Sequence, residues 1–234
     1  MARPMRTAAI IPCFNEERAV AGVVAELRAF DPAIVTVVVD DGSSDATARV
    51  ARETSLVIRL PVNLGIGGAV QTGIRYAARH DFDACIQVDG DAQHVAGEIA
   101  ALLKVRAETG ASLVIGSRFI GEGSFRSTAM RRVGIGLIAS TLATLFGVRV
   151  TDPTSGFRLM DRRAIALFAE HYPQDFPEPV SIAVAVEHGL SVAEAPVSMR
   201  ERVHGTSSLA GLRSAAYMFR VIGYLVLVRL KRFL

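Results

Sequence analysis

The chain has 234 residues, half of them hydrophobic, with 26 Lys and Arg against 23 Asp and Glu for a net charge of +3. That length supports a sizeable core, and a mean hydropathy of +0.34 is too low for a multi-span membrane protein. Basic residues are scattered and aromatics are 6 %, which excludes a nucleic-acid footprint; Cys13 and Cys85 match no metal or redox spacing, so a reducing compartment is expected.

The N-terminus, MARPMRTAAIIP, holds no apolar stretch long enough for a signal peptide, so a cytosolic location is expected. TAAIIP (7–12) reads as a short buried strand, and residues 16–30 carry apolar side chains at helical spacing. IVTVVVD (34–40) is a β-branched strand, with Ser44 or Asp45 placed to cap the helix after it. LVIRL (56–60) is a strand, 66–80 a helix, ACIQVD (84–89) a strand, 98–110 a helix and SLVIGS (112–117) a strand. Continuous apolar strands alternating with helices predict an α/β fold, a mainly parallel sheet covered on both faces.

The second half is less regular. It reads as a helical region (126–148), a polar turn TDPTSGF (151–157) and a Pro-rich loop YPQDFPEP (172–179). A helix (180–189), a strand (191–199), a basic loop RERVHGTSS (200–208) and a terminal helix follow. The expected organisation is one catalytic domain over 1–212 with an amphipathic helix over 213–234. The uncharged run 133–148 and the helix AAYMFRVIGYLVLVRLKRFL are each too short or too interrupted to span a bilayer, which needs roughly 18–20 apolar residues. The first reads best as buried. The second, with Arg220, Arg229, Lys231 and Arg232, suits either an anionic membrane surface or a homodimer contact.

Polar clusters follow the first four strands: PCFNEE, DDGSSDAT, NLGIGG and DGDAQH. In open α/β sheets ligands bind beyond the carboxyl ends of the strands, so these four loops define one crevice. In VVVDDGSSDAT an acidic pair suits a ribose or base edge, and Asp41 is the better candidate because Gly42 and Ser43 suit a turn and cap. NLGIGG offers a phosphate-cradling turn or, equally, close packing of loop on helix. It does not match the G-x-G-x-x-G pattern. In VDGDAQH, Asp89 and Asp91 fall on one side of an extended chain. Such a pair, with Gln93 as a third oxygen, suits a hard divalent cation bridging a diphosphate.

The motifs IIPCFNEE, VVVDDGSSDAT, NLGIGGAVQTGI, QVDGDAQH and DPTSGFRLM, in this order, resemble family-2 inverting glycosyltransferases along essentially the whole chain. MRERVHGTSS is similar to the late R-x-x-G-x-S segment of the dolichol-phosphate-mannose-synthase-like branch, whose members charge polyprenyl phosphates with a sugar. The resemblance implies a GT-A fold and a UDP-, GDP- or dTDP-linked sugar donor. It places Pro12, Phe14 and Glu16 at the nucleoside, Asp41 on the base or ribose, and Gly68 and Gly90 among the donor-binding positions. Asp89, Asp91 and Gln93 would hold Mg²⁺ or Mn²⁺. Arg118 and Arg131 would face phosphates, and Arg202 donor or acceptor phosphate, where a guanidinium fork suits phosphate oxygens. Phe14 stands where family members often have Tyr, and Ser208 where the branch often has Lys.

The acceptor decides whether a base is needed. Transfer to a sugar hydroxyl requires a carboxylate to take the proton, whereas a phosphate oxygen is already ionised. Glu178 is the first candidate for base or acceptor-orienting residue, ahead of Asp175 and Asp152, which also suits an Asx turn before Pro153. His94 and His204 read as supporting or surface residues. The expected function is a metal-dependent hexosyl transfer to a polyprenyl phosphate, by an enzyme peripheral on the inner face of the membrane. A separate membrane-protein partner is one possible anchor. The alternatives are transfer to a glycan hydroxyl in envelope polysaccharide synthesis and a non-catalytic nucleotide-sugar-binding subunit. A nucleotidyltransferase is disfavoured because the loop after the first strand is acidic, not Gly- and Arg-rich.

Overall fold

The computed structural model describes residues 5–121, 129–200 and 212–231. Strand β1 (Thr7–Cys13) is buried throughout and pairs in parallel with β2 (Val35–Asp40) and β4 (Ala84–Gln87). β2 pairs in parallel with β3 (Leu56–Arg59). β5 (Leu113–Ser117) runs parallel to β7 (Val192–Pro196), and β6 (Arg158–Asp161) lies antiparallel between β4 and β5. The seven strands form one sheet in the order β3-β2-β1-β4-β6-β5-β7.

Helices cover both faces because the strands alternate two apolar sets. Ile10, Val37 and Val39 face α3 (Gly65–Arg79), α5 (Ala129–Phe146), α6 (Arg162–His171), α7 (Pro177–Glu187) and α8 (Leu212–Lys231). Ile11 and Val38 face the other way, towards α1 (Val20–Phe30) and α4 (Ile99–Thr109). A six-residue helix, α2 (Thr47–Arg52), joins β2 to β3.

Three features depart from the sequence reading. The segment 16–19 is a turn, and α1 begins at Val20: Asn15 takes a left-handed φ of 57°, and its amide and side chain bond to Ser43 and Ser44 instead of continuing a helix. β6 and α6 are additional elements. Four residues, RLMD, are too short to show a period, and α6 starts where the Asp161 carboxylate accepts the Ala164 N–H at 2.9 Å. β7 is shorter than 191–199, and the chain beyond it returns as a single antiparallel bridge between Met199 and His94.

The two apolar helices pack together. α5 buries Ile135, Ile138, Leu142 and Phe146, one helical stripe, and leaves Val133 and Leu137 exposed. α8 buries Val221 and Leu225 completely in the same core, and Met218 fills the space over Gly134. The other face of α8 presents Phe219, Leu227 and Leu230, which are 77, 58 and 52 % exposed. Among the described residues no helix is long and apolar enough to cross a membrane.

Candidate active site

Three of the four polar loops meet through hydrogen bonds between their backbones and short side chains. Asp41 N–H donates to the Cys13 carbonyl at 2.8 Å, and Glu16 N–H donates to Thr47 Oγ1 at 2.8 Å. Asp45 accepts from Thr47 N–H at 2.9 Å in an Asx turn ahead of α2, whose N-cap position is Ala46, while Glu17 returns a carboxylate oxygen to Ala46 N–H. Asp41 is buried, and its two oxygens accept the N–H groups of Leu64 (2.7 Å) and Gly65 (2.9 Å). The loops after β1, β2 and β3 are thereby one unit. Phe14 stands at its rim, 49 % exposed, with Pro12 buried below it and Glu16 half-buried.

Two of the three glycines at the start of α3 are explained by packing, while Gly65 supplies a left-handed φ of 80° in open space. A side chain at Gly67 would come within 2.5 Å of the Gln174 carbonyl, and Gly68 is buried against Leu64. Gly90 is likewise buried against Cys13 and Pro12, which sets the fourth loop directly on the end of β1. Electrostatics register the convergence at that point. Burial, followed by the charges of Glu16, Asp40, Asp89 and Asp91, pushes the Cys13 thiol well above its ordinary pKa.

Asp89 sits just past β4 with 36 % of its side chain exposed. Its backbone N–H donates to Nδ1 of His94 at 2.9 Å, which leaves Nε2 as the protonated nitrogen, 3.6 Å from Asp89 Oδ2. His94 is itself buried and stacks on Phe157 with ring centroids 4.7 Å apart. It is therefore a support beneath Asp89, the first of the two roles that its place in DGDAQH suggested. Asp91 accepts the Gln93 N–H at 3.1 Å across Ala92, whose φ of 63° is left-handed. Gln93 donates its side-chain amide to the Arg200 carbonyl at 3.2 Å, which leaves Oε1 as its acceptor.

Two carboxylates and an amide oxygen are hard donors that fit Mg²⁺ or Mn²⁺. Gly156 supports the fit, because a side chain there would lie 3.2 Å from both Asp89 oxygens and crowd the carboxylate. Among the described residues no three His, Cys, Asp or Glu side chains cluster as a complete metal cage. A cation held here would draw its remaining oxygens from a bound diphosphate and water.

Arg118 is not a free fork. Its Nε and Nη2 donate to the two oxygens of Asp152 at 2.6 and 2.7 Å, and Nη2 also reaches Thr154 at 3.1 Å. The pair is buried, with side-chain exposures of 9 and 0 %. Arg118 is thus set in a buried ion pair, and both oxygens of Asp152 are engaged by it. Glu194 fixes the same turn by accepting from the N–H groups of Thr151 and Asp152 at 2.7 and 2.8 Å. Asp175 is exposed, whereas burial raises the Glu178 carboxyl above its ordinary pKa against the pull of Arg158. Arg202, His204 and Ser208 lie outside the described residues, as does the side chain of Arg131.

One residue has no role in the sequence reading, although it stands in the motif DPTSGFRLM. Arg158 is a fully buried guanidinium whose donors meet the Ser155 carbonyl (2.7 Å), the Ser181 hydroxyl (2.6 Å) and the Pro153 carbonyl (3.2 Å). Burial lowers its pKa, opposed by Tyr172 and by the carboxylates of Glu178, Asp152 and Asp89. It lies under the crevice as the cation those acids share.

Comparison with known proteins agrees with this architecture. Residues 8–168 match the model of glycosyl transferase family 2. The polyprenol monophosphomannose synthase of Mycolicibacterium smegmatis is 30 % identical over 238 residues, covering 97 % of this chain and 89 % of that enzyme. The undecaprenyl-phosphate mannosyltransferase of Micrococcus luteus is 31 % identical, covering 88 % of each chain. Among solved structures, glucosyl-3-phosphoglycerate synthase from Mycobacterium tuberculosis, in complex with Mn²⁺, UDP and phosphoglyceric acid, aligns with a TM-score of 0.71 at 19 % identity. That alignment covers 97 % of this chain and 78 % of that one. The sheet order and the four-loop crevice are thus a GT-A-like fold, and the chain belongs to glycosyl transferase family 2 as a glycosyltransferase.

Proposed function

We propose that the chain transfers a hexosyl group, with inversion, from a nucleotide diphosphate sugar to a polyprenyl phosphate at the cytosolic face of a membrane. The observation that carries this reading is the Asp89–Asp91–Gln93 loop at the end of β4, in a chain whose relatives are named for polyprenyl phosphates. Phe14, at the rim of the loops that the buried Asp41 ties together, receives the nucleoside. Asp89, Asp91 and Gln93 hold Mg²⁺ or Mn²⁺, which would neutralise charge on the departing diphosphate. An acceptor phosphate oxygen attacks the anomeric carbon from the face opposite the departing diphosphate. The bond from that carbon to the diphosphate breaks, its electron pair leaving with the diphosphate. No base is required, because the attacking oxygen is already ionised. Arg202, with Arg131, is assigned to the phosphates.

Glu178 favours a second reading. Its half-buried carboxyl with a raised pKa is the profile of a general base, which transfer to a glycan hydroxyl would need. A donor screen separates the two. Purified protein with Mn²⁺ is given UDP-, GDP- and dTDP-sugars, with and without a short polyprenyl phosphate, and nucleoside diphosphate release is measured. Release dependent on both metal and lipid phosphate, and retained within a few-fold in Glu178→Gln, is the expected result. Release that ignores the lipid and is lost in Glu178→Gln would establish the glycan reading. Tight nucleotide binding without release from any donor would establish the binding-subunit reading.

The membrane placement makes its own prediction. Deleting α8 is a poor test, since Val221 and Leu225 belong to the core. Phe219→Asp combined with Leu227→Asp changes only exposed positions. The double variant is expected to lose flotation with anionic liposomes at an unchanged melting temperature. Retained flotation would refute α8 as the docking face, and a shift from dimer to monomer on gel filtration would make that face a homodimer contact.

A further inference from the structure

Glu26 lies in the middle of α1, on none of the four polar loops. Its Oε1 accepts the Ala96 N–H at 3.0 Å and Arg200 Nη2 at 3.0 Å, and its Oε2 accepts Arg200 Nη1 at 2.7 Å. One carboxylate therefore ties two stretches of chain that are far apart in sequence. Between them the Arg200 N–H donates to the Gln93 carbonyl at 2.9 Å, the Gln93 side chain donates back to the Arg200 carbonyl, and His94 bridges Met199. The arrangement is a short two-stranded ladder, 93–94 against 199–200, bolted at its outer end. The bonds with Arg200 hold the Glu26 carboxyl below its ordinary pKa, so the bolt stays charged at neutral pH.

The ladder continues directly into the metal-binding turn. Ala92 holds a left-handed backbone that costs an alanine roughly 1–2 kcal/mol, and Asp91 Oδ1 accepting the Gln93 N–H braces the turn from within. Such a conformation persists where its surroundings over-determine it. The His94 ring that receives the Asp89 N–H sits in the same ladder. We infer that Glu26, through Arg200 and Ala96, is a positioning residue for the divalent-cation loop, holding Asp91, Gln93 and His94 in ligand-ready geometry. This rests on the metal reading given above.

The test uses the full chain and reads the loop independently of the metal. Hydrogen–deuterium exchange over residues 91–96 is measured in metal-free protein for wild type, Glu26→Ala, Arg200→Glu and the charge-swapped double variant Glu26→Arg/Arg200→Glu. Mn²⁺ binding is then titrated in the presence of UDP and GDP together, by the loss of the free-ion electron paramagnetic resonance signal. Glu26→Ala is expected to exchange faster over 91–96 and to bind Mn²⁺ about ten-fold more weakly. The melting temperature stays within a few degrees, since exposed pairs contribute only about 0–1 kcal/mol. The double variant recovers only the part carried by the ion pair, because an arginine at position 26 cannot accept the Ala96 N–H, whereas Arg200→Glu alone recovers none. Unchanged exchange in Glu26→Ala would overturn the inference, and so would faster exchange with unaltered Mn²⁺ affinity. Wild-type protein that binds no Mn²⁺ would instead overturn the metal reading, with the exchange result still deciding whether Glu26 orders the loop.

Discussion

Asp91→Asn is expected to lower nucleoside diphosphate release by about 10²–10³-fold or more, because a metal carboxylate that offsets charge on the leaving group is worth several kcal/mol in the transition state. The substitution is close to isosteric, and it keeps an oxygen in place of Asp91 Oδ1 to accept the Gln93 N–H at 3.1 Å. The turn through Ala92 therefore survives, and what is lost is the charge. Two controls sharpen the reading. The melting temperature of the variant is expected to match wild type within a degree or two, since Asp91 is only half-buried and the Gln93 hydrogen bond is kept. Raising Mn²⁺ should recover part of the activity, as a weakened site would require. Turnover within a few-fold of wild type at low Mn²⁺ would remove Asp91 from the metal site, and with it the argument that two carboxylates at the end of β4 are there for a cation.

The parts of this site that were legible in the sequence share a physical property: each is a short local pattern. The buried strands showed as β-branched runs, the crevice as polar clusters following four of them, and the loop after β4 as D-x-D with its Gln and His. A strand end and the turn after it are specified by residues adjacent in the chain, so their chemistry is written contiguously. The features that escaped are non-local. β6 is four residues long and is recognisable only through its pairing with β4 and β5. Arg118 shows in the sequence as a cation without its partner, and Asp152 meets that fork from a turn far along the chain. Glu26 sits at an ordinary polar position of an amphipathic helix, and its importance is visible only once Arg200 is seen against it. The glycines of NLGIGG presented two physical explanations at once, and Gln174 against Gly67 supplies the packing one.

Arg158 carries the largest stability prediction, because it is a charge buried on neutral partners. Two backbone carbonyls and a serine hydroxyl receive its donors, and that hydroxyl in turn donates to the Glu178 carbonyl at 3.1 Å, so one guanidinium ties β6, the Pro153–Ser155 turn and the first turns of α7. Arg158→Met preserves most of the volume and removes every donor. The carbonyls of Pro153 and Ser155 then lose their partner in the interior, and Glu178, Asp152 and Asp89 lose the buried cation among them. Breaking a buried charged network from one side costs about 3–5 kcal/mol, which for a chain of this size lowers the melting temperature by roughly 10 °C. Arg158→Lys should recover less than half of this, because one ammonium cannot span three acceptors set in different directions around a planar fork. Lys104→Met provides the contrast: its pair with Glu108, 3.9 Å long with both side chains more than half exposed, should contribute no more than about 1 kcal/mol. Calorimetric melting of the three variants settles the matter, and an Arg158→Met midpoint within 2 °C or so of wild type would mean the acids beneath the crevice do not depend on that cation. The expected fall would mean that the floor under Asp89 is held by charge as well as by packing.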